Sequence, residues 1–225
     1  RRIPHYDFWS DKIRNSILFD SRADILVYGM AELTILEIAQ SLQKEKEIPV
    51  NIRGTVVSVK SSEDAESIMM PELQELENRE KFLKFSRIFN ENYQTKTLFQ
   101  RFSFRYLKHN PPQRPLTTKE IDEVYLLPFA KKPHPIYKEK KITAYEQIRN
   151  SIVSHRGCFG GCNFCAIGLH QGKTIQSRSF SSIREEIVSL TKDKGFTGTI
   201  TDVGGPSANM YGMFCNHWES RGTCP

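Results

Sequence analysis

The sequence predicts an α/β fold on three observations. Strand, helix and strand signals follow one another over residues 24–59. They do so again over 148–206, with a cysteine-rich loop after the first strand. Between these stretches lie a helical signal and a run of prolines. The expected division is therefore 1–59, a helical and Pro-rich connector over 60–147, and a second α/β region over 148–225.

Ile25–Tyr28 is a short apolar β run, punctuated by Gly29. Leu33, Leu36 and Ala39 then share one side of a helix, and Ile35, Ile38 and Leu42 broaden the stripe. Gly54–Val59 is rich in β-branched residues and reads as the next strand. Gly29 alone is no phosphate-binding fingerprint, because no GxGxxG follows it. Pro71–Asn92 reads as one helix. Pro71 suits its first position, Leu73, Leu76 and Leu83 form one face, and Phe82, Phe85 and Phe89 a second row. Six of the 11 prolines fall between 111 and 135, which predicts an extended, irregular path with a short helix from Thr118.

Ile148, Ile152 and Val153 mark a strand ending where the cysteines begin. Residues 181–194 predict an amphipathic helix, capped by Ser181 or Ser182 and facing inward through Ile183, Ile187 and Leu190, with Gly195 ending it. "GTITDVGGP" is the next strand, running into a Gly-Gly turn. The cysteine loop thus falls at the carboxyl end of the first strand of a βαβ unit, where parallel α/β folds build their sites.

The chain has 225 residues, 38% of them hydrophobic, and a net charge of +6. No apolar run approaches the roughly 18–20 residues of a membrane span, and the N-terminus has no apolar core of a signal peptide. Clustered cysteines without a secretory signal point to metal or redox chemistry in a reducing cytoplasm. The positive excess is local. Residues 101–157 hold twelve Lys or Arg against five Asp or Glu, a stripe suited to phosphates or RNA as readily as to a solvated linker.

In "HRGCFGGCNFCAI", Cys158, Cys162 and Cys165 are spaced CxxxCxxC. Structural zinc usually wants four protein ligands, commonly from CxxC pairs, and a disulfide needs two cysteines. Three thiolates on one loop suit a [4Fe–4S] cluster with one iron left open for another ligand. Gly160 and Gly161 let the backbone wrap closely.

CxxxCxxC with an aromatic residue, Phe164, before the last cysteine is the signature of radical S-adenosylmethionine (SAM) proteins. "HRGCFGGCNFCAIGLHQGKTIQSRS", "RYLKHNPPQRPLT", "DVGGPSANMYGM" and "HYDFWSDKIRNSILFDSRADILVYGM" closely resemble the YgiQ-like family of that class. The resemblance implies that Cys158, Cys162 and Cys165 bind the cluster and that SAM chelates the open iron. Phe164 would pack near the adenine. Reductive cleavage of SAM would give a 5′-deoxyadenosyl radical, with a flavodoxin- or ferredoxin-type electron donor. Gly204-Gly205-Pro206 stands where related enzymes carry a Gly-Gly-Glu-like turn for the SAM amine. The carbonyls of Gly204 and Gly205, with Asp202 upstream, are the acceptors left. Ser177 and Arg178 fall at polar SAM-contact positions. Cys215 and Cys224 would be the front of an auxiliary metal site, of iron–sulfur or zinc. No DxHxxG motif appears, so cobalamin is not expected.

The resemblance also implies the end of a Rossmann-like unit near the N-terminus and, from Ile152 on, the start of a TIM-like barrel, since a complete barrel takes ~250 residues. The missing initiator Met likewise suggests a fragment. His155 and Arg156 adjoin Cys158 and are candidates to support the cluster from behind its ligands; His134, His170, Gln171 and Lys173 are weaker candidates. Two rival readings exist. One is a methylthiotransferase-like radical SAM enzyme acting on tRNA or a ribosomal protein. The other is a zinc- or RNA-binding module using the three cysteines and a fourth ligand such as His170.

Overall fold

The computed structural model describes residues 1–62, 66–138, 140–206, 208–214 and 216–217. It is a mixed α/β chain of two compact units, Arg1–Arg114 and a second beginning at Pro115.

The first unit opens with a hairpin, β1 (His5–Asp7) and β2 (Lys12–Arg14), and a short helix α1 (Ile17–Asp20) capped by Ser16. Then come β3 (Ile25–Val27), α2 (Glu32–Glu45), β4 (Thr55–Val59) and β5 (Ile68–Met70). After a 3-10 turn over Leu73–Glu77 follow α3 (Arg79–Asn92), β6 (Leu98–Phe102) and β7 (Arg105–His109). The sheet order is β3-β4-β7-β6-β5, parallel only between β5 and β6. Met70, Leu76, Phe85, Phe89 and Leu98 form one buried cluster, and Leu18, Val56 and Leu107 another.

Several sequence expectations are corrected here. β3 and β4 are antiparallel neighbours, so the strand–helix–strand stretch of 24–59 is not a parallel crossover. The expected helix over Pro71–Asn92 is two elements. The Asn78 side chain accepts from the amides of Glu80 and Lys81 at 3.0 and 3.2 Å, which starts a new helix there. Its Phe85 and Phe89 are buried, whereas Leu83 is exposed. The stripe on α2 is also displaced: Ile35, Leu36 and Leu42 are exposed, and the buried residue is Thr34, whose hydroxyl donates to the Arg53 carbonyl at 2.9 Å. Finally, residues 60–147 are more than a helical connector, because β5, β6 and β7 come from them.

The second unit begins with α4 (Thr118–Tyr125). Its Thr117 hydroxyl accepts from the Glu120 amide, and the Glu120 carboxylate accepts from the Thr117 amide, a reciprocal cap. A 3-10 turn (Pro135–Tyr137) and α5 (Thr143–Ile148) follow, so Ile148 ends a helix rather than starting the strand. Next come β8 (Ser151–Val153), β9 (His155–Arg156), α6 (Ile167–His170) and β10 (Gln176–Ser177), then α7 (Phe180–Thr191) and β11 (Asp202–Gly204). Ser179, not Ser181 or Ser182, caps α7, its hydroxyl accepting from the Ser182 amide at 3.1 Å. The helix ends at Thr191, before Gly195. β8 and β11 are parallel and in register, Ser151 opposite Asp202 and Val153 opposite Gly204. With α7 between them they form the expected βαβ unit. Among the described residues no helix is long and apolar enough to cross a membrane.

Candidate cofactor site at the cysteine loop

The loop is anchored at both ends by one short antiparallel pair, β9 with β10, which sets His155 opposite Ser177 and Arg156 opposite Gln176. The anchor is itself pinned. The Gln176 side-chain carbonyl accepts from the Leu116 amide at 2.8 Å, and Asp122 accepts from the Ser179 amide at 2.9 Å, tying α4 to the strand that closes the loop. Gly157 then turns the chain at φ +87°. A Cβ there would lie 2.1 Å from the Thr174 carbonyl oxygen, so only glycine lets the two sides of the loop meet.

Cys158 is buried against Ile175, Met210 and Ile167, and its amide donates to the Gly172 carbonyl at 3.1 Å. Cys162 is exposed and Cys165 half-buried, and none of the three is in a disulfide. A Cβ on Gly160 would sit 3.4 Å from the Cys158 sulfur and 3.7 Å from that of Cys162. The backbone at Gly160 therefore passes within contact distance of both sulfurs. The Gly160 amide also points to the Cys158 sulfur at 3.4 Å. Gly161 supplies a positive φ, +61°, and Phe164 is almost wholly exposed. Soft thiol donors, a side-chain-free backbone and an amide aimed at sulfur fit an iron–sulfur cluster. The three thiols are not gathered as ligands: among the described residues no group of three His, Cys, Asp or Glu side chains converges as for a metal ion. Cys215 and Cys224, the expected auxiliary pair, lie outside the described residues.

The Gly204–Pro206 turn follows β11 at the same end of the strands. The Gly204 carbonyl accepts from the Ser154 amide at 2.7 Å, extending the parallel pairing one residue beyond β8. The Asp202 carboxylate stands 3.4 Å from where a Cβ on Gly204 would be, and Asp202 is exposed. A Cβ on Gly205 would fall 2.2 Å from two atoms of the His155 ring.

Arg178 is 2% exposed, and each of its five N–H donors has a partner within the unit. Nε meets the Ser182 hydroxyl at 3.2 Å, and one terminal nitrogen reaches the Ser182 carbonyl and hydroxyl at 3.0 and 2.9 Å. The other donates to the Val153 carbonyl at 2.9 Å and to Glu186. It therefore holds the end of β8 to the first turns of α7 and has no donor left over. The Ser177 hydroxyl likewise accepts from the Gly212 amide at 2.9 Å.

Sequence reasoning gave His155 a minor place. It is 1% exposed, its Nδ1 is 2.9 Å from the Ser154 hydroxyl, and its Nε2 has no partner. The Thr174 hydroxyl, on the opposite side of the loop base, is also buried without a partner. An unbonded buried polar atom costs about 1–3 kcal/mol, and the fold leaves two unsatisfied polar groups at the base of one loop. Their burial has no sequence signal, because it comes from contacts with residues far along the chain.

The family model described as Radical SAM N-terminal matches residues 1–151. UPF0313 proteins of Thermotoga neapolitana and Thermotoga maritima are each 47% identical to this chain over all of it and 41% of their own length. That of Geobacter sulfurreducens is 43% identical, over all of this chain and 38% of its own. The chain spans about two fifths of the length of these curated relatives. No solved structure matches it. The matched N-terminal region runs up to the first residue of β8, and the relatives' likeness continues through the three-thiol loop, so the chain belongs to the YgiQ-like, or UPF0313, family of radical SAM proteins.

Proposed function

We propose that the full-length protein is a radical SAM enzyme that cleaves SAM reductively to a 5′-deoxyadenosyl radical, which abstracts hydrogen from a substrate. The observation that carries this reading is the place of the three-thiol loop, at the carboxyl end of β8 in a parallel βαβ unit. Cys158, Cys162 and Cys165 would hold a [4Fe–4S] cluster, whose reduced form supplies the electron for SAM cleavage. The three thiols must then draw together on ligation, which the exposed segment from Phe159 to Phe164 allows. Phe164 offers its exposed ring to the adenine, while Asp202 and the Gly204–Gly205 backbone offer acceptors to the amino-acid end. Arg178 acts by position, fixing β8 against α7.

In this reading β8, α7 and β11 begin a TIM-like barrel. The first unit continues a Rossmann-like domain from the outer edge of β3. A flavodoxin- or ferredoxin-type protein delivers the electron. RNA is the partner best suited to the basic 101–157 segment, although several of its cations are engaged within the fold: Lys108 on Asn51, Lys131 on Glu186 and Arg149 on Glu146.

The test is anaerobic reconstitution of the full-length protein with iron and sulfide, read by EPR of the reduced protein with and without SAM. A [4Fe–4S] signal that shifts with SAM, and is lost when Cys158, Cys162 and Cys165 are all replaced by alanine, is the expected result. Bound zinc, or a cluster indifferent to SAM, would refute the reading.

A further inference from the structure

We propose that the second unit carries a separate binding site for a phosphorylated ligand of nucleotide size, at the end of β8 away from the cysteine loop. The proposal goes beyond the SAM reading and does not depend on it.

A cavity of about 800 Å³ lies within this unit, lined by the start of β8, the second half of α7 and the segment 130–138. Small-molecule sites typically occupy about 300–1,000 Å³. The amino end of a strand in such a unit ordinarily serves stability rather than chemistry, so a space of this size there is not explained by the thiols at the other end.

The charge of the lining selects an anion. Lys131, Lys132, Lys138, Arg149 and Lys194 line the cavity, against the two carboxylates of Glu186 and Asp193. Glu186 is already held by Lys131 and Arg178, and Asp193 accepts from the Gly195 amide at 2.7 Å. Arg149 pairs with Glu146 at 3.5 Å. The ammonium groups of Lys132, Lys138 and Lys194 have no ion pair among the described residues. The end of α7 brings a partial negative charge of about half a unit, which is less than the excess of cations. His134, also in the lining, adds a donor: its Nδ1 accepts from the Ile136 amide at 3.2 Å, so Nε2 carries the proton. Three unpaired ammonium groups and an N–H suit the several oxygens of one phosphate. Tyr145 and Phe196, both half-buried in the lining, supply aromatic surface for a base.

The cations are presented by a held backbone. Lys131 and Lys138 both have φ near +49°, a conformation that lysine rarely adopts. The Tyr145 hydroxyl donates to the Lys131 carbonyl at 3.0 Å, and the 3-10 turn over Pro135–Tyr137 orders the segment between the two lysines.

The test is equilibrium dialysis of the full-length protein against three probes: inorganic phosphate, AMP, and a 5′-phosphorylated RNA of about eight nucleotides. It compares the wild type with Lys132→Gln, Lys138→Gln, Lys194→Gln combined, and with a control combining Lys12→Gln, Lys44→Gln and Lys84→Gln in the first unit. The wild type should bind AMP more tightly than phosphate. The cavity variant should lose AMP affinity about tenfold or more, and the control should keep it. RNA bound more tightly than AMP, and lost in the cavity variant alone, identifies the ligand as a nucleotide within RNA; RNA bound no more tightly identifies a free nucleotide. Equal loss in the two variants, AMP bound no better than phosphate, or a wild type that binds neither AMP nor RNA overturns the proposal. Iron content and SAM affinity, read on the same samples, should not change in the cavity variant, so failure of the cofactor reading and failure of this one are seen separately.

Discussion

The guanidinium carbon of Arg178 lies 4.1 Å from the centre of the Tyr125 ring, and that of Arg156 lies 5.1 Å from the same ring. Tyr125 ends α4, Arg156 ends β9 and Arg178 precedes α7, so one aromatic ring gathers three elements around the strand pair that anchors the cysteine loop. The buried Arg178 also pairs with the partly exposed Glu186. Replacing it by methionine keeps a flexible apolar stem but leaves the Val153 carbonyl without a donor and Glu186 with Lys131 alone. Leaving a buried carbonyl without its donor costs about 1–3 kcal/mol, and a partly exposed carboxylate that keeps Lys131 adds little to that. Urea unfolding of the full-length protein should show a loss in that range, with faster amide exchange in β8. A change under about 0.5 kcal/mol, as for an ordinary surface substitution, would mean that the arginine does not hold the unit together.

Glu186 stands between Lys131 and Arg178. Burial pushes its carboxyl up, but the hydrogen bonds and charges of Lys131 and Arg178 outweigh that and hold it below the usual range. A carboxyl with a lowered value in the folded chain binds its proton more weakly there than when unfolded. Its contribution is therefore complete above the unfolded value, about 4.3, and is lost as pH falls through the folded value. Below that unfolded value the wild type should lose stability more steeply with falling pH than Glu186→Gln. Parallel acid limbs in urea titrations of the two proteins would refute this.

His109 titrates elsewhere in the fold and on a different limb. It is fully buried, with ring centroids of Tyr28 and Phe89 at 4.8 and 5.3 Å, and neither of its nitrogens has a partner. Burial first, and the Arg2 charge second, hold it well below its ordinary range. The unfolded chain takes up a proton as pH falls through about 6.5, and the folded chain does not. Stability is therefore complete above that pH and declines below it, with a slope approaching ~1.4 kcal/mol per pH unit. His109→Phe keeps the stacking and removes two unbonded nitrogens, so it should be at least as stable at neutral pH and should lose this limb. Identical pH slopes for the two proteins would show that His109 is bonded or protonated in the fold.

The elements legible in the sequence are those with local signals. α4 has its reciprocal cap in Thr117 and Glu120, and α7 its apolar spacing at Ile183 and Ile187. β8 and β11 lie in the short β-branched stretches SIV and TITDV on either side of α7. β6 and β7 were not legible, because their buried positions include Gln100, Lys108 and His109, which read as surface. Gln100 is tolerated there only because its amide reaches the Pro71 carbonyl at 2.8 Å, and Lys108 because it reaches Asn51. On α2 the apolar count promised a buried stripe, but packing chose Thr34. At the site, the CxxxCxxC spacing marks the thiols. The pairing of His155 with Gly205 joins residues fifty positions apart, and nothing in either residue's neighbourhood announces it.

Two glycines of the loop share a backbone conformation and differ in their surroundings, which separates strain from collision. Gly157 and Gly172 both have φ of +87°. A Cβ at Gly172 meets nothing within 4 Å, whereas at Gly157 it would meet the Thr174 carbonyl oxygen at 2.1 Å. Gly172→Ala therefore carries only the left-handed penalty, about 1–2 kcal/mol, and should load iron like the wild type. Gly157→Ala carries the same penalty and must also push apart two backbone segments, which cannot yield as a flexible side chain would. That displacement moves Cys158, whose amide is bonded to the Gly172 carbonyl across the loop. Gly157→Ala should thus lose most of its reconstituted iron and sulfide and unfold at lower urea than Gly172→Ala. Equal iron content in the two variants would show that the close approach of Gly157 to Thr174 is not what shapes the thiol loop.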